Sequence, residues 1–362
     1  MDLDALAANF AAVRAHVGPR VRVLVAVKGD AYGHGAVACA RALAGAGCDA
    51  LGVALVEEGA QLRDAGVGGM VMCMGGVGRH GAAAAVRRDL TPVLYDEGDA
   101  ERLDAAARAA GRRVVVHVKV DTGMGRLGVP LPHYARFLDR IAHFTALDVA
   151  GLMTHFAESE SADITFTREQ LRRFHTAVAD TRARGYTPRC LHAANSGAVL
   201  GHAASHLDMV RPGILVYGEA PGPGVSVRPV MRVVTRVLFV KDLPRGASVS
   251  YGRRFVTDRP TRVATLPLGY ADGLPRAVSG KAQVLVNGRR CNVVGTVCMD
   301  LCMVDVTDLA EPVESGDEVV IIGAAGAERI TAGEVAAWAG TIPYEILCGF
   351  SERVPRRHEG VA

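Results

Sequence analysis

Short apolar runs alternate with helix-like stretches through the first 217 residues of the chain. The strand-like runs are residues 21–27, 50–55, 70–74, 91–95, 114–120, 149–155, 190–195 and 209–217. The stretches between them, such as 36–46, 99–110 and 167–184, are rich in Ala, Arg and Glu at helical spacing. Runs that are apolar throughout are typical of parallel strands covered on both faces. Eight strand–helix units predict an α/β fold with an N-terminal (β/α)8 barrel of the TIM type, whose chemistry lies at the carboxyl ends of its strands.

The pattern changes after residue 217. Residues 219–224 are rich in proline and glycine, which is typical of a linker between domains. Beyond them the apolar runs 230–240, 262–268, 283–286, 291–297, 302–306 and 318–322 are short and separated by turn residues, with one short helix at 332–339. We therefore predict two domains, a barrel over residues 1–222 and a mainly antiparallel β-domain over residues 223–362.

Polar residues follow the predicted barrel strands at the points where the strands end. They are Lys28 after the first strand, Lys119, Asp121 and Arg126 at the end of the fifth, His155 at the end of the sixth, Ser196 after the seventh and Arg211 in the eighth. Each alone has an ordinary structural interpretation, such as a cap, a hydrogen-bonded core histidine or a surface charge. Because polar residues occur at the ends of five strands, together they predict a site at the mouth of the barrel.

Lys28 carries the most specific chemistry of this set. A lysine at a strand end usually extends to solvent, but burial would lower its pKa and supply a free amine for a Schiff base. Tyr32 in the glycine-rich turn, Ser196, and the main chain of Gly213 and Ile214 are suited to a phosphate group, which barrels commonly bind near their last two strands. Together these residues predict pyridoxal 5'-phosphate as the cofactor.

Composition excludes several other classes of function. The chain has 362 residues, a net charge of +3 and basic residues in isolated pairs, so neither nucleic acid nor a membrane is an expected partner. It has no apolar stretch of the roughly 20 residues that span a bilayer, and no pattern typical of a secretory signal. The eight cysteines lack paired spacing, which predicts reduced thiols, no metal site and a cytoplasmic location.

The order of the motifs resembles that of the pyridoxal-phosphate-dependent alanine racemases, a family with a barrel and a β-domain. The matching segments cover essentially the whole chain: VKGDAYGHG (27–35), KVDTGMGRLG (119–128), MTHF (153–156), NS (195–196), RPG (211–213), SYG (250–252), GYADG (269–273), CMD (298–300) and PYE (343–345).

The resemblance implies a role for each matching residue. Lys28 holds the cofactor and is one of two acid–bases, and Tyr251 of the partner subunit in a homodimer is the other. The phosphate is bound by Tyr32, Ser196, Gly213, Ile214 and Tyr344. The substrate carboxylate is bound by Arg126 and the main chain at Met299, and the entrance and supporting positions are Tyr270, Lys119 and Asp300. Lys119 matches a lysine that is often carbamylated and supports Arg126.

Two further implications concern Arg211. An arginine that faces the pyridine nitrogen keeps that nitrogen unprotonated and favours racemisation over the decarboxylation expected where a carboxylate stands there. His155 connects Tyr251 to Arg211, and positive charge relayed through this pair is expected to lower the pKa of the tyrosine.

The chain also departs from the family pattern. Thr296 stands where arginine is usual and Leu301 where glutamine is common, both expected near the entrance, and the chain begins a few residues inside the usual start. We expect either an upstream start or a β-domain without one edge strand. The leading hypothesis is interconversion of L- and D-alanine for peptidoglycan synthesis. Alternatives are a racemase for serine or a broader amino-acid set, a non-catalytic cofactor-binding barrel, and an aldolase that uses Lys28 without a cofactor.

Overall fold

The computed structural model describes residues 1–219, 222 and 224–360, which form two compact units. The first, here the barrel unit, contains Asp4–Ala31 and Gly35–Arg228. The second, here the β-unit, contains Met1–Leu3, Tyr32–His34 and Pro229–Gly360. The predicted linker includes residues 220, 221 and 223, which lie outside the described residues, so the predicted boundary between residues 222 and 223 stays a prediction.

The barrel unit is built from alternating strands and helices. The strands are β1 (Arg22–Ala26), β2 (Ala50–Val53), β3 (Met70–Cys73), β4 (Thr91–Leu94), β5 (Val114–Asp121), β6 (Val129–Pro130), β7 (Leu147–Met153), β8 (Cys190–His192) and β9 (Met209–Val210). The helices are α1 (Leu3–Val17), α2 (Lys28–Gly33), α3 (Ala36–Gly45), α4 (Val56–Asp64), α5 (Gly78–Arg87), α6 (Glu97–Ala109), α7 (Leu131–Ile141), α8 (Thr165–Ala183) and α9 (Ser196–Gly201).

All hydrogen-bonded neighbours in this sheet are parallel, in the order β8-β7-β5-β4-β3-β2-β1-β9, with β6 beside β5. Main-chain N–H groups of Asp208 and Arg211 donate to the carbonyls of Leu191 (3.0 Å) and Ala194 (2.8 Å), which join the β8 and β9 segments and nearly close the sheet. The prediction of a TIM-type barrel is confirmed. Because every strand runs in the same direction, their carboxyl ends share one mouth.

The eighth strand is shorter than predicted. It ends at Val210 instead of residue 217, because Pro212 has no N–H to donate and Gly213 accepts a turn bond from Val216 (2.9 Å). The sixth predicted strand also ends early, at Met153, which leaves His155 in the loop that follows it.

The β-unit is mainly antiparallel, as predicted. Its strands are β10 (Val233–Arg236), β11 (Phe239–Leu243), β12 (Ser248–Val249), β13 (Phe255–Val256), β14 (Thr261–Leu266), β15 (Gln283–Val286), β16 (Arg289–Val294), β17 (Cys302–Asp305), β18 (Glu318–Ala325) and β19 (Glu328–Ile330). Its larger sheet has the order β10-β18-β15-β16-β17-β14-β11 with β19 beside β18, and β12 and β13 form a separate hairpin. Helix α10 (Ala332–Ala339) has the predicted bounds, whereas helix α11 (Pro343–Gly349) was not predicted.

The first residues of the chain belong to the β-unit. Asp2 forms an isolated parallel bridge with Glu359, and its main-chain N–H donates to the carbonyl of Val230 (2.9 Å). Among the described residues no helix is both long enough and apolar enough to cross a membrane.

Candidate active site

The chain leaves β1 through a left-handed turn that begins directly after Lys28. The φ angles of residues 29–33 are 61°, 52°, 54°, 55° and 81°. A left-handed helical conformation costs about 1–2 kcal/mol for each residue other than glycine. The turn is held by the Asp30 carboxylate, which accepts from the Ala36 N–H (2.7 Å), and by the Glu58 carboxylate, which accepts from a main-chain N–H of the turn (2.7 Å). Strain of this kind persists where the surrounding structure fixes it, and it is concentrated at functional sites.

Arg211 is a buried cation at the mouth of the barrel. Its guanidinium, 5% exposed, donates to the carbonyls of Thr154 (2.6 Å) and Ala193 (3.0 Å) and to Nδ1 of His192 (2.9 Å). Burial lowers its pKa to about 10, so it stays charged at neutral pH. Within the described part of the chain no carboxylate lies within ion-pair distance of it. A buried cation without a counter-ion selects an anion or a neutral acceptor from any ligand that binds here.

Two histidines continue this network into the barrel. Because a guanidinium can only donate, His192 must accept at Nδ1 and carry its proton on Nε2, from which it donates to Nδ1 of His117 (2.7 Å). Burial, reinforced by nearby arginines, lowers the pKa of His117 to about 3 and that of His192 well below its usual range. Gly151 makes room for this pair, since a Cβ there would lie 2.3 Å from Nδ1 of His117.

These histidines and Cys190 also meet the spacing expected of a metal site. The three candidate ligand atoms lie within 4.8 Å of one another. However, tetrahedral zinc at its usual bond length holds two nitrogen ligands roughly 3.3 Å apart. The nitrogens of His117 and His192 are only 2.7 Å apart, so the gap holds a proton.

The lowered pKa values of His117 and His192 predict a pH dependence of the stability of the fold. In the unfolded chain the two rings take up protons below pH 6.5, while in the folded protein they stay neutral down to far lower pH. The unfolded state then binds more protons, so the stability present above pH 6.5 is lost as the pH falls below it, by up to about 1.4 kcal/mol per pH unit for each ring. We expect the Tm to decline from about pH 7 to about pH 5, and less steeply in His117→Gln.

The control for that measurement is His133→Gln, which removes an exposed histidine of the same unit. Thermal unfolding across this pH range compares the two variants with the wild type. Equal slopes in all three proteins would contradict the assignment of a buried neutral ring to His117.

Further cations surround the mouth of the barrel. Lys119 is buried, and burial followed by Arg211 and Arg126 lowers its pKa to about 8, with Lys28 acting in the same direction. His155 accepts at Nδ1 from Arg211 (3.4 Å), which leaves its proton on Nε2, and burial with the neighbouring cations lowers its pKa to about 2. The glycine-rich turn before Arg126 is held by the Asp121 carboxylate. An excess of positive charge suits an anionic ligand.

A second part of the mouth is suited to phosphate oxygens. The Ser196 hydroxyl oxygen accepts from the Gly213 N–H (3.0 Å), which fixes the hydroxyl beside the last strand. The buried main-chain N–H of Ile214 donates to no described group. An unsatisfied buried N–H beside a hydroxyl is the donor set that barrels use for phosphate. These donors, the lysine after β1 and the Arg211 guanidinium, which has no carboxylate partner among the described residues, fit the phosphate, aldehyde and ring nitrogen of pyridoxal phosphate.

Two predicted phosphate ligands meet within the β-unit. The rings of Tyr32 and Tyr344 lie 5.9 Å apart at 47°. Burial, and then the proximity of Tyr344, raises the pKa of Tyr32 well above its usual range. Tyr32 therefore keeps its proton at neutral pH and can donate a hydrogen bond.

The other predicted residues of the β-unit form an exposed cluster of Tyr251, Tyr270 and Met299, which are 72%, 43% and 53% exposed. Hydrogen bonds join the segments that carry them, from the Tyr270 N–H to the Cys298 carbonyl (3.0 Å) and from the Thr296 hydroxyl to the Tyr251 carbonyl (2.9 Å). Asp300 is ion-paired with Arg353 (2.8 Å). Large apolar side chains exposed together are typical of an interaction surface.

Thr296 is buried at 1% exposure beneath the turn that carries Tyr251, and its expected place near the entrance stays a prediction. Leu301 is half-buried, and its carbonyl accepts from the Cys298 N–H (2.9 Å).

Two family models and several named relatives match this chain over nearly its full length. The family model for the N-terminal domain of alanine racemase matches residues 1–221, and the model for the C-terminal domain matches residues 230–358. The chain belongs to the alanine racemase family. A protein named alanine racemase from Symbiobacterium thermophilum is 45% identical over 99% of this chain and 96% of its own length. Alanine racemase 2 of Caldanaerobacter subterraneus subsp. tengcongensis is 42% identical over 98% of this chain and 93% of its own length.

Solved structures of the family agree with the fold. The alanine racemase of a D-cycloserine-producing Streptomyces lavendulae superimposes with a TM-score of 0.95 at 38% identity, covering 100% of this chain and 96% of its own. That of Bartonella henselae, which has covalently bound pyridoxal phosphate, gives a TM-score of 0.88 at 30% identity, with 99% and 98% covered. The predictions of an alanine racemase fold and of an isomerase of this family are confirmed.

Proposed function

We propose that this chain interconverts L- and D-alanine with pyridoxal 5'-phosphate as cofactor. The observation that carries the proposal is Arg211, a buried guanidinium without a carboxylate partner among the described residues at the mouth of the barrel. It suits a ring nitrogen that must stay unprotonated, which limits side reactions and favours racemisation. Membership of the alanine racemase family over nearly the full chain supports the same conclusion.

The residues that would hold the cofactor have separate tasks. Lys28 would bind it covalently through its amine, and Arg211 would donate to its ring nitrogen. The phosphate would be held by Tyr32, Ser196, Gly213, Ile214 and Tyr344. When bound, the cofactor withdraws electrons from the α-carbon of the amino acid and makes its α-proton removable.

Two acid–bases on opposite sides of the α-carbon exchange that proton without moving the substrate. Lys28 is one, and Tyr251 of the partner subunit is the other. Tyr251 is 72% exposed in the single chain, and a phenol acts as a base only where neighbouring groups favour its phenolate form. A partner subunit that covers the exposed cluster would bring hydrogen-bond donors and positive charge to the tyrosine, which favour its phenolate form, and we therefore propose a homodimer with shared active sites.

His155 assists Tyr251 by hydrogen bonding instead of by carrying charge. Because burial and the neighbouring cations lower its pKa to about 2, His155 is neutral at neutral pH, which favours a hydrogen-bonding role over a relay of positive charge. The bond to Arg211 uses Nδ1 of His155, so the Nε2–H can donate to another group. A hydrogen bond donated to the phenolate oxygen of Tyr251 favours the ionised form of the side chain.

The remaining residues bind the substrate. Arg126 and the main chain at Met299 orient the carboxylate, and Tyr270 limits the space to small side chains, with Asp300 supporting this region. The lowered pKa of Lys119 makes its neutral amine available to carbon dioxide, and the surrounding cations would stabilise the resulting carbamate. Since Thr296 is buried, it gives no reason to expect activity on serine or a broader set. Supply of D-alanine to peptidoglycan is part of the proposal, and the cytoplasmic location stays a prediction.

An absorbance spectrum with an alanine assay on the same sample tests the proposed function. We expect an absorption band near the edge of the visible range that borohydride removes, attachment of the reduced cofactor at Lys28, and conversion of L-alanine to D-alanine. A colourless protein that pyridoxal phosphate cannot reconstitute would contradict the proposal. Bound cofactor without alanine turnover would refute the substrate while keeping the cofactor.

A further inference from the structure

The turn that carries Tyr251 has a conformation that its own sequence does not favour. The φ angles of Ser250 and Arg253 are 65° and 50°, and that of Gly252 is 71°. The flanking strands β12 and β13 contain two residues each, so their ladder offers few hydrogen bonds to fix the turn. Residues other than glycine adopt positive φ only where other contacts impose it.

Those contacts come from the segment at Thr296. The Thr296 hydroxyl donates to the carbonyl oxygen of Tyr251 (2.9 Å), and the Thr296 carbonyl accepts from the Ser250 hydroxyl (2.6 Å). The preceding residue, Gly295, lies so close that a Cβ there would be 2.7 Å from the Val249 carbonyl oxygen. Thr296 therefore bonds to two successive residues of the turn, one through its side chain and one through its backbone.

We propose that Thr296 is a positioning residue that fixes the backbone orientation of Tyr251 and hence the direction of its phenol. The inference rests on the proposed function, in which Tyr251 is an acid–base. The phenol itself is exposed, so the orientation of its backbone is set from beneath, by a buried group. Rates of proton transfer depend steeply on such placement, because a shift of about 1 Å can lower them about 100-fold.

The test replaces Thr296 by valine, which keeps the shape of the side chain and removes its hydroxyl. We expect kcat of the dimeric holoenzyme to fall about five-fold, within the range of one lost hydrogen bond, and Thr296→Ser to restore it. The matched control is Thr261→Val in the same unit. Thr261 is 3% exposed and its hydroxyl donates to the Arg259 carbonyl (2.9 Å), so an equivalent bond is lost away from the turn.

The decisive readout is the isotope effect with α-deuterated L- and D-alanine. If only the tyrosine step is slowed, the isotope effect rises for the enantiomer that Tyr251 deprotonates and falls for the enantiomer that Lys28 deprotonates. A merely structural role would leave both isotope effects unchanged. Ser250→Ala removes the hydrogen bond from the Ser250 hydroxyl to the Thr296 carbonyl. We expect it to shift the two isotope effects in the same directions as Thr296→Val, and it replaces that variant in the test if Thr296→Val does not fold.

The outcomes distinguish a failure of the proposed role of Thr296 from a failure of the proposed function of Tyr251. Wild-type kcat and isotope effects in Thr296→Val would overturn the role of Thr296, as would an equal loss of kcat in Thr261→Val with unchanged isotope effects. Wild-type racemisation by Tyr251→Phe would instead refute the proposed function of the tyrosine, whatever Thr296 does.

Discussion

Replacing Lys28 by alanine is expected to lower kcat for alanine racemisation by about four orders of magnitude or more. Under the proposed function, the variant loses both the amine that attaches the cofactor and one of the two acid–bases. Its fold should be preserved, because the left-handed turn after β1 is held by the carboxylates of Asp30 and Glu58. The measurement combines the racemase assay with the absorbance spectrum, in which the band sensitive to borohydride should be absent.

The control for this variant is Lys281→Ala, which removes an exposed lysine of the β-unit. Lys28, Lys119, Lys241 and Lys281 are the lysines of the chain, so the labelled position can be assigned by peptide mapping. Retention of the band and of measurable racemisation in Lys28→Ala would contradict the assignment of the cofactor lysine. Loss of the band and of racemisation in Lys281→Ala would instead assign the cofactor to Lys281.

Replacing Tyr251 by phenylalanine is expected to lower kcat by about 1,000-fold while leaving the cofactor spectrum unchanged. Only one acid–base remains, so the proton can be removed but not returned efficiently on the other face. The variant should therefore still exchange the α-proton of one enantiomer with deuterated solvent. Because the side chain is 72% exposed in the single chain, removal of its hydroxyl should change the folding stability of each subunit little.

Tyr186→Phe serves as the control for the loss of a tyrosine hydroxyl. The Tyr186 hydroxyl donates to the Leu138 carbonyl (2.9 Å), and the residue precedes β8 at the amino ends of the strands. We expect wild-type turnover from it. Equal and complete loss of proton exchange for both enantiomers in Tyr251→Phe would contradict the two-base assignment.

The barrel could be predicted because its strands are apolar throughout and its helices are not. The bounds of α10 were predictable because Thr331 and Glu334 cap its first turn and Gly340 ends it with a positive φ of 75°. Helix α11 was missed because it has seven residues, too few for a periodic pattern to be distinctive.

The site was predictable only in part. His117 and His192 were missed because a single histidine in an apolar strand is typical of an ordinary core position, and the bond between them joins residues of β5 and β8. The burial of Thr296 could not be predicted, because nothing in a short segment between strands shows which side chain is buried. The neutral state of His155 depends on the burial of its ring and then on the cations around it, which only the nearly closed sheet brings together.

Mixing the two inactive variants tests the shared active site most directly. In the proposed dimer, each site of a Lys28→Ala and Tyr251→Phe heterodimer combines Lys28 of one subunit with Tyr251 of the other, so one site carries both changes and the other carries neither. Unfolding and refolding an equal mixture should restore about one quarter of wild-type activity, since half of the dimers would be hybrids with one intact site. A mixture as inactive as its components, with hybrid dimers present by mass spectrometry, would contradict the proposal that Lys28 works with Tyr251 of the partner subunit.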